Sequence, residues 1–406
     1  MKFFLRASLV ATLSLGMPWC AIAKDGPATA TATASVAKSA ESPIAAALKP
    51  FVDEHALAGA VALVADKDKV LSVTTVGYAD IAGDRPMTPD TVYWIASQTK
   101  PITAVAVMIL VDEGKISLDD PIEKYLPEMK ELRVAAAKDS KDGPQPPESK
   151  VTIRQCLCHT SGMPFSSAAE KPTLDGLTLE AAVKSYATTP LHAQPGKVHK
   201  YSNAGINTAG RIIEVVSGKK YEDFLDERVL KPLGMNDTTY WPSEEQVARL
   251  ATPYKPNKAK DADGLEATTI SQLQYPLYNK TGRYPMPAGG LFSTAGDVAK
   301  FCQMALRGGE LNGKRILSEA AMKEMTTDQA RGAVNDKGTP VTWGVGFSLS
   351  GGGGFGHGGA LSTNMNIDPK LGLITVWAVQ HAGFPKDGGK AQGVFVTKAK
   401  ELYGKK

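Results

Sequence analysis

Tyr93-Trp94-Ile95-Ala96-Ser97-Gln98-Thr99-Lys100-Pro101-Ile102-Thr103-Ala104-Val105-Ala106-Val107-Met108-Ile109-Leu110-Val111 runs from two aromatic residues into an almost unbroken apolar segment. As a helix, residues 102–111 have hardly any polar face, so the helix is buried on most sides. Pro101 fits only in a first turn, which places the helix start near Ser97. Gly114 marks its end. Ser97 and Lys100 are three residues apart and fall on one face. Ser97 then lies at the positive end of the helix dipole, beside backbone N–H groups with no intrahelical partner.

That placement suits a nucleophile. A serine hydroxyl attacks well only when a base takes its proton, and a lysine serves once burial or a neighbouring cation lowers its pKa. The Ser-x-x-Lys pattern also occurs at Ser35–Lys38 and at Ser217–Lys220. The first lies in an Ala/Thr-rich tail and the second spans a helix stop at Gly218. Neither opens a buried helix.

The ends of the chain bound its setting. Lys2 and Arg6, then an apolar stretch to Trp19, then Ala21-Ile22-Ala23 read as an export signal over residues 1–23, with cleavage before Lys24. A lipid on Cys20 is disfavoured by the bulk of Trp19 before it. Residues 24–42 are a low-complexity linker of Ala, Thr, Ser and Lys. These features predict a periplasmic or secreted protein with no transmembrane segment in the mature chain. The formal charge of the 406 residues is +4. Lys2 and Arg6 supply two of those charges, so removing the signal leaves +2, no basic field for nucleic acid. Cys156, Cys158 and Cys302 remain, an odd number, and read as small buried hydrophobes. No His-Glu-x-x-His or Cys-x-x-Cys pair suggests a metal, and no cofactor is implied.

Along the chain, residues 44–55 suit an amphipathic helix, and 60–65 with 70–76 a hairpin across the polar turn 66–69. Residues 115–290 read as helices with long loops: a polar, proline-bearing loop at 138–150, a helix at 151–159 and another at 205–216. Thr294-Ala295-Gly296-Asp297 has a capping-box spacing ahead of a helix over 298–306. Residues 342–349, 359–367 and 373–379 are strand candidates, followed by a last helix at 390–402. The expected class is α+β: an antiparallel sheet shared by the two ends of the chain, flanked by helices, with an inserted mostly helical lobe. The expected boundaries are one unit over residues 43–406, with the sheet lobe at 43–90 and 291–406 and the helical lobe at 91–290. A cleft between lobes is a common place for a site.

Two further segments join Ser97 and Lys100. Pro195-Gly196-Lys197-Val198-His199-Lys200-Tyr201-Ser202-Asn203 places Tyr, Ser and Asn just before a helix, and Gly356-His357-Gly358-Gly359-Ala360 lies ahead of a strand candidate. With Cys158-His159-Thr160-Ser161-Gly162 and Gly289-Gly290-Leu291-Phe292-Ser293-Thr294, their order and spacing resemble the serine β-lactamase and penicillin-binding superfamily, in the class C β-lactamase-like branch that includes esterases and DD-peptidases. The resemblance runs from about residue 44 to the C-terminus and implies a β-lactamase-like fold. It implies that Ser97 is the acylated nucleophile and that Lys100 and Tyr201 move its proton. Asn203 would orient the substrate and bond Lys100. The N–H groups of Ser97 and Ala360 would form an oxyanion hole, and Gly358 and Gly359 would let the substrate lie against the strand. His159 reads as structural, and His55, His192, His199 and His381 carry no role. A Gly-x-Ser-x-Gly elbow is absent.

Lys280-Thr281-Gly282 spells the usual third motif of β-lactamases, but precedes the Thr294 helix, whereas His357-Gly358-Gly359 follows it. With His357 at that position, a mostly neutral imidazole replaces the usual lysine cation at pH 7, and Gly358 lacks the usual threonine hydroxyl. Protonation near pH 5.5 would partly restore the charge. Arg283 is a candidate partner for a substrate carboxylate. The sequence therefore predicts an exported serine hydrolase of small esters or amides. DD-carboxypeptidase, weak β-lactamase and a non-catalytic cell-wall or ligand-binding module are the alternatives, and the oligomeric state is left open.

Overall fold

The computed structural model describes residues 42–136, 143–258 and 264–405. The expected export signal, nearly all of the linker, the Ser35–Lys38 pair and the start of the 138–150 loop lie outside the described residues.

Helix α1 (Pro43–Asp53) starts where Ser42 accepts the N–H of Ala45 and Pro43 takes the first turn. It stops two residues short of the expected end, because His55 turns into the left-handed region at φ 55°. Strands β1 (Gly59–Ala65) and β2 (Val70–Asp80) form the expected hairpin, with Leu63 opposite Val73. Strand β3 (Arg85–Pro86) follows on the edge. Helix α2 (Thr99–Asp112) is buried at every residue from 99 to 110, as its apolar run requires.

The middle of the chain holds α3 (Ile153–Leu157), α4 (Leu179–Ala187) and α5 (Asn203–Ser217). The reading of 151–159 as one helix was too long. Thr152 caps α3 in a reciprocal box with Gln155, and the chain leaves helical geometry at Cys158. Ser202 caps α5 and Gly218, at φ 69°, ends it. All three cysteines are free and buried.

Helix α6 (Ala295–Leu306) is capped by Thr294, which accepts the Asp297 N–H. The box is only half formed, because the Asp297 carboxylate accepts the Asp237 N–H and the Thr238 hydroxyl instead. The last strands are β4 (Ser348–Leu349), β5 (Phe355–Gly358), β6 (Asn364–Asp368) and β7 (Leu373–Ala378), followed by α7 (Ala391–Tyr403). Two strand expectations are corrected. Of 342–349 only the last two residues join the sheet, since Gly346 at φ 77° turns Trp343 back into an isolated bridge with Ser348. Of 359–367, the first five residues form a turn in which the Gly359 N–H bonds the Thr363 carbonyl, while the glycine-rich 355–358 is the strand. Gly356 can pair there because a Cβ would lie 2.1 Å from the Met365 carbonyl oxygen.

The strands form one sheet in the order β4-β5-β6-β7-β1-β2-β3, with every neighbouring pair antiparallel. The two ends of the chain meet at β1 and β7, where Leu63 faces Val376. Strand β1 is buried on both faces. Ala60, Ala62 and Val64 pack with Ile44, Leu48, Trp377 and Phe395, under α1 and α7. Val61, Leu63 and Ala65 face the larger core with residues of α2, α5 and α6. Each large side chain buried this way contributes roughly 1.5–3 kcal/mol.

Candidate active site

Ser97 sits in a single 3-10 turn, Ala96–Gln98, that leads directly into α2. The turn is held from both sides. Ile95 donates its N–H to Leu291 O at 3.0 Å, and the Thr99 hydroxyl donates to Ala96 O at 2.6 Å. Ala96 is at φ 47°, a costly conformation for a residue with a side chain, and it aims the next residue outward. No sequence signal marks it.

Lys100 is fully buried one turn on. Its Nζ lies 3.1 Å from Ser97 Oγ, 2.8 Å from Asn203 Oδ1 and 2.6 Å from Ala288 O. Burial pushes its amine well below the usual lysine range. The partners suit a neutral amine, which has two N–H groups and one lone pair. Asn203 Oδ1 and Ala288 O can only accept, so they take the two N–H groups, and the lone pair faces the one partner able to donate, the Ser97 hydroxyl.

Tyr201 lies between Lys100 and His357. Lys100 Nζ is 4.6 Å from its ring centre, and its hydroxyl oxygen is 3.5 Å from His357 Nε2. Burial pushes the Tyr201 hydroxyl up, and a hydrogen bond with Ser97 opposes this less strongly. The phenol therefore stays protonated at neutral pH. The Tyr201 segment is fixed by His159. Its carbonyl accepts the Lys200 N–H at 2.8 Å, its Nδ1 accepts the Ser202 N–H at 3.2 Å, and its ring packs 4.4 Å from the Tyr201 ring. The structural reading of His159 thus has definite content: it clamps the residues on either side of Tyr201. No sequence motif marks His199 and Trp343, which extend this wall with ring centres 4.9 Å apart.

His357 is on β5, opposite Met365. Its Nδ1 lies 2.7 Å from Gly358 O. A carbonyl can only accept, so Nδ1 carries the proton and Nε2 faces Tyr201 as a bare acceptor. Burial, followed by the nearby Lys100, pushes its pKa down to about 3. The expected protonation near pH 5.5 is therefore corrected. A Cβ on Gly359 would lie 2.1 Å from Thr363 Oγ1 and 2.5 Å from Ile95 O, so its lack of a side chain lets the turn after β5 press against Ile95, two residues before Ser97. Gly358 has room, its nearest neighbour being Asn364 Nδ2 at 3.5 Å. Ala360 follows, and its N–H has no hydrogen-bond partner among the described residues.

Ser97, Tyr201, Asn203, His357, Gly358, Gly359 and Ala360 all line one cavity of about 540 Å³. Among the described residues, no Asp, Glu, Lys or Arg lines it; Lys100 lies beneath its floor. The aromatic side chains of Trp94, Phe165 and Trp343 border it. Arg283 is not available to a substrate carboxylate. It is buried, donates to Asp175 Oδ2 at 2.6 Å and to Leu277 O, and so is consumed inside the fold. Lys280 lies over the Trp241 ring and, with Arg283, borders a second cavity that Ser97 does not line.

A family model described as Beta-lactamase matches residues 44–395. Protein Rv1367c of Mycobacterium tuberculosis is 32% identical over 366 residues, covering 83% of this chain and 89% of that protein. Esterase EstB of Burkholderia gladioli is 31% identical over 315 residues, covering 72% and 75%. Among solved structures, EstCE1, described as a hydrolase with promiscuous acyltransferase activity, superimposes with a TM-score of 0.72 at 24% identity, over 89% of this chain and 97% of its own. That last likeness concerns the fold.

Proposed function

The chain belongs to the beta-lactamase family, and from that premise we propose that it is a serine hydrolase working through an acyl-enzyme on Ser97, with neutral esters or amides as substrates. The observation that carries this is the Lys100 amine, buried without a carboxylate partner and turned with its lone pair toward Ser97 Oγ at 3.1 Å. Esterase EstB, similar over most of the chain, supports the ester reading. Lys2 and Arg6 ahead of an apolar stretch and Ala21-Ile22-Ala23 support a periplasmic or secreted location.

In the first half-reaction, Lys100 takes the Ser97 proton as Oγ bonds to the substrate carbonyl carbon. The carbonyl electron pair moves to oxygen, where the N–H groups of Ser97 and Ala360 receive it; one such donor is worth about 3 kcal/mol. The pair then returns, the bond to the leaving oxygen breaks, and the Lys100 proton passes to it. Tyr201 is the relay, since its hydroxyl bonds Ser97 and remains protonated. Water repeats the sequence in reverse to free Ser97. Asn203 holds Lys100 from one side while its amide nitrogen is free to meet the substrate.

The uncharged cavity favours neutral substrates. An anionic β-lactam or a peptide carboxylate would be desolvated with no cation to meet it. A fluorescent fluorophosphonate should label the wild type at Ser97, with Ser97→Ala unlabelled and Ser217→Ala labelled as before. A panel of p-nitrophenyl acetate, nitrocefin and a D-Ala-D-Ala peptide should show the ester cleaved fastest. Acylation at any other residue would end this reading, and faster peptide cleavage would replace it with a DD-peptidase.

A further inference from the structure

Asn203 and Asn207 are one turn apart on α5 and project from the same face. Asn203 reaches Lys100 directly. Asn207 reaches it through a single residue. Its Oδ1 accepts the Ala288 N–H at 3.0 Å, and Ala288 O, on the other side of that residue, accepts from Lys100 Nζ at 2.6 Å. The carboxamide cannot be flipped, because the backbone N–H needs an acceptor. Its Nδ2 donates to the hydroxyls of Tyr186 and Tyr284, each at 3.0 Å. The Tyr186 hydroxyl donates in turn to Glu170 Oε1 at 2.7 Å, and the Ser167 N–H donates to Glu170 Oε2. Pro287 O is held separately by the Thr103 hydroxyl at 2.7 Å. Asn207, Tyr186, Tyr284 and Glu170 are all buried.

We propose that Asn207 is a positioning residue for the base: acting through Ala288, it fixes one of the two carbonyls that orient the Lys100 amine and so aims the lone pair at Ser97. This rests on Lys100 being the base. Of the two N–H acceptors, Asn203 Oδ1 is a side-chain atom that substrate can disturb. Ala288 O is a backbone atom whose residue, among the described residues, is anchored through its N–H by the Asn207 side chain alone. The titratable groups facing Asn207 are Tyr186 and Tyr284, with Glu170 behind Tyr186. Those around Lys100 are Tyr201, His357 and His159.

The pH profile of kcat/KM on p-nitrophenyl acetate tests this, because its acid limb reports the Lys100 pKa in the free enzyme. Asn207→Leu leaves the Ala288 N–H unpaired and loosens a carbonyl that favours the ammonium. It should lower kcat/KM at least about tenfold and move the acid limb to lower pH. Asn207→Asp keeps the acceptor for Ala288 and adds a negative charge near Lys100. It should recover most of the lost rate on the plateau and move the limb to higher pH, by about half a unit or more. A limb moved to lower pH in Asn207→Leu, with the rate recovered in Asn207→Asp, is the expected signature; a purely structural role would lower the rate without moving the Leu limb, whereas the added charge raises the Asp limb in either case. Should Asn207→Leu not fold, Asn207→Ala, which likewise removes the acceptor for Ala288, takes its place. An unmoved limb in the Leu or Ala variant, or equal losses without recovery in the Asp variant, overturns the proposal. Full ester hydrolysis by Ser97→Ala would instead overturn the functional reading beneath it.

Discussion

His357→Lys tests what the third segment does for substrate charge. In the wild type the imidazole is neutral, with Nδ1 bonded to Gly358 O and a pKa near about 3. At pH 5.5 it would still be overwhelmingly neutral. The preference for a neutral over an anionic substrate should therefore be the same at pH 5.5 and 7.5. A lysine changes the sign of that corner of the cavity. An ammonium about 4 Å from a substrate carboxylate gains up to about 4 kcal/mol at an effective dielectric near 20. The carboxylate is desolvated in either protein, so only desolvation of the new ammonium offsets part of that gain, and Lys100 nearby adds little repulsion while its amine is neutral. A net gain above about 1.4 kcal/mol moves the kcat/KM ratio of nitrocefin to p-nitrophenyl acetate more than tenfold toward the anion. Both substrates should be measured on both proteins at both pH values. If the wild-type ratio swings toward nitrocefin at pH 5.5, His357 titrates there and the burial reasoning fails. If the lysine variant leaves the ratio unchanged, residue 357 does not govern substrate charge.

The two glycines after His357 should separate cleanly: Gly359→Ala forces the turn away from Ile95 and Thr363 and should cut kcat/KM about a hundredfold with the fold retained, while Gly358→Ala should stay within about threefold. Measured kcat/KM values of similar size for the two would refute the packing role. Asp175→Ala strands the buried Arg283 charge and should cost about 3–5 kcal/mol in urea unfolding. A loss below about 1 kcal/mol would show that water reaches the guanidinium.

The sequence exposed what depends on residue type at short range. Ser97 and Lys100 stand out because an apolar run starts at Ser97, and Gly218 because it stops a helix. The cleft partners Tyr201, Asn203 and His357 were found through motif order, and they line the cavity with Ser97. What stayed hidden depends on distant pairing. Arg283 looks like any available cation until Asp175, 108 residues earlier, is seen against it. Asn207 looks like an ordinary helical residue until Ala288 is placed beside it. The strand Phe355–Gly358 was missed because glycines normally break strands, and here one of them is demanded by the neighbouring Met365 carbonyl. Thr294 and Asp297 have the spacing of a reciprocal cap, but a tertiary partner took the carboxylate.

The pairing of β1 with β7 sets a timetable for synthesis. Val61 waits for Ala378, so more than three-quarters of the chain must be made before the centre of the sheet can close. Until then β1, the most apolar strand of the first hundred residues, has one open edge, the kind of template on which chains aggregate. Closure over so long a loop is slow compared with hairpin formation. A stop codon between residues 369 and 373 would leave every motif but the last strand encoded, yet produce a chain with its central ladder unfinished.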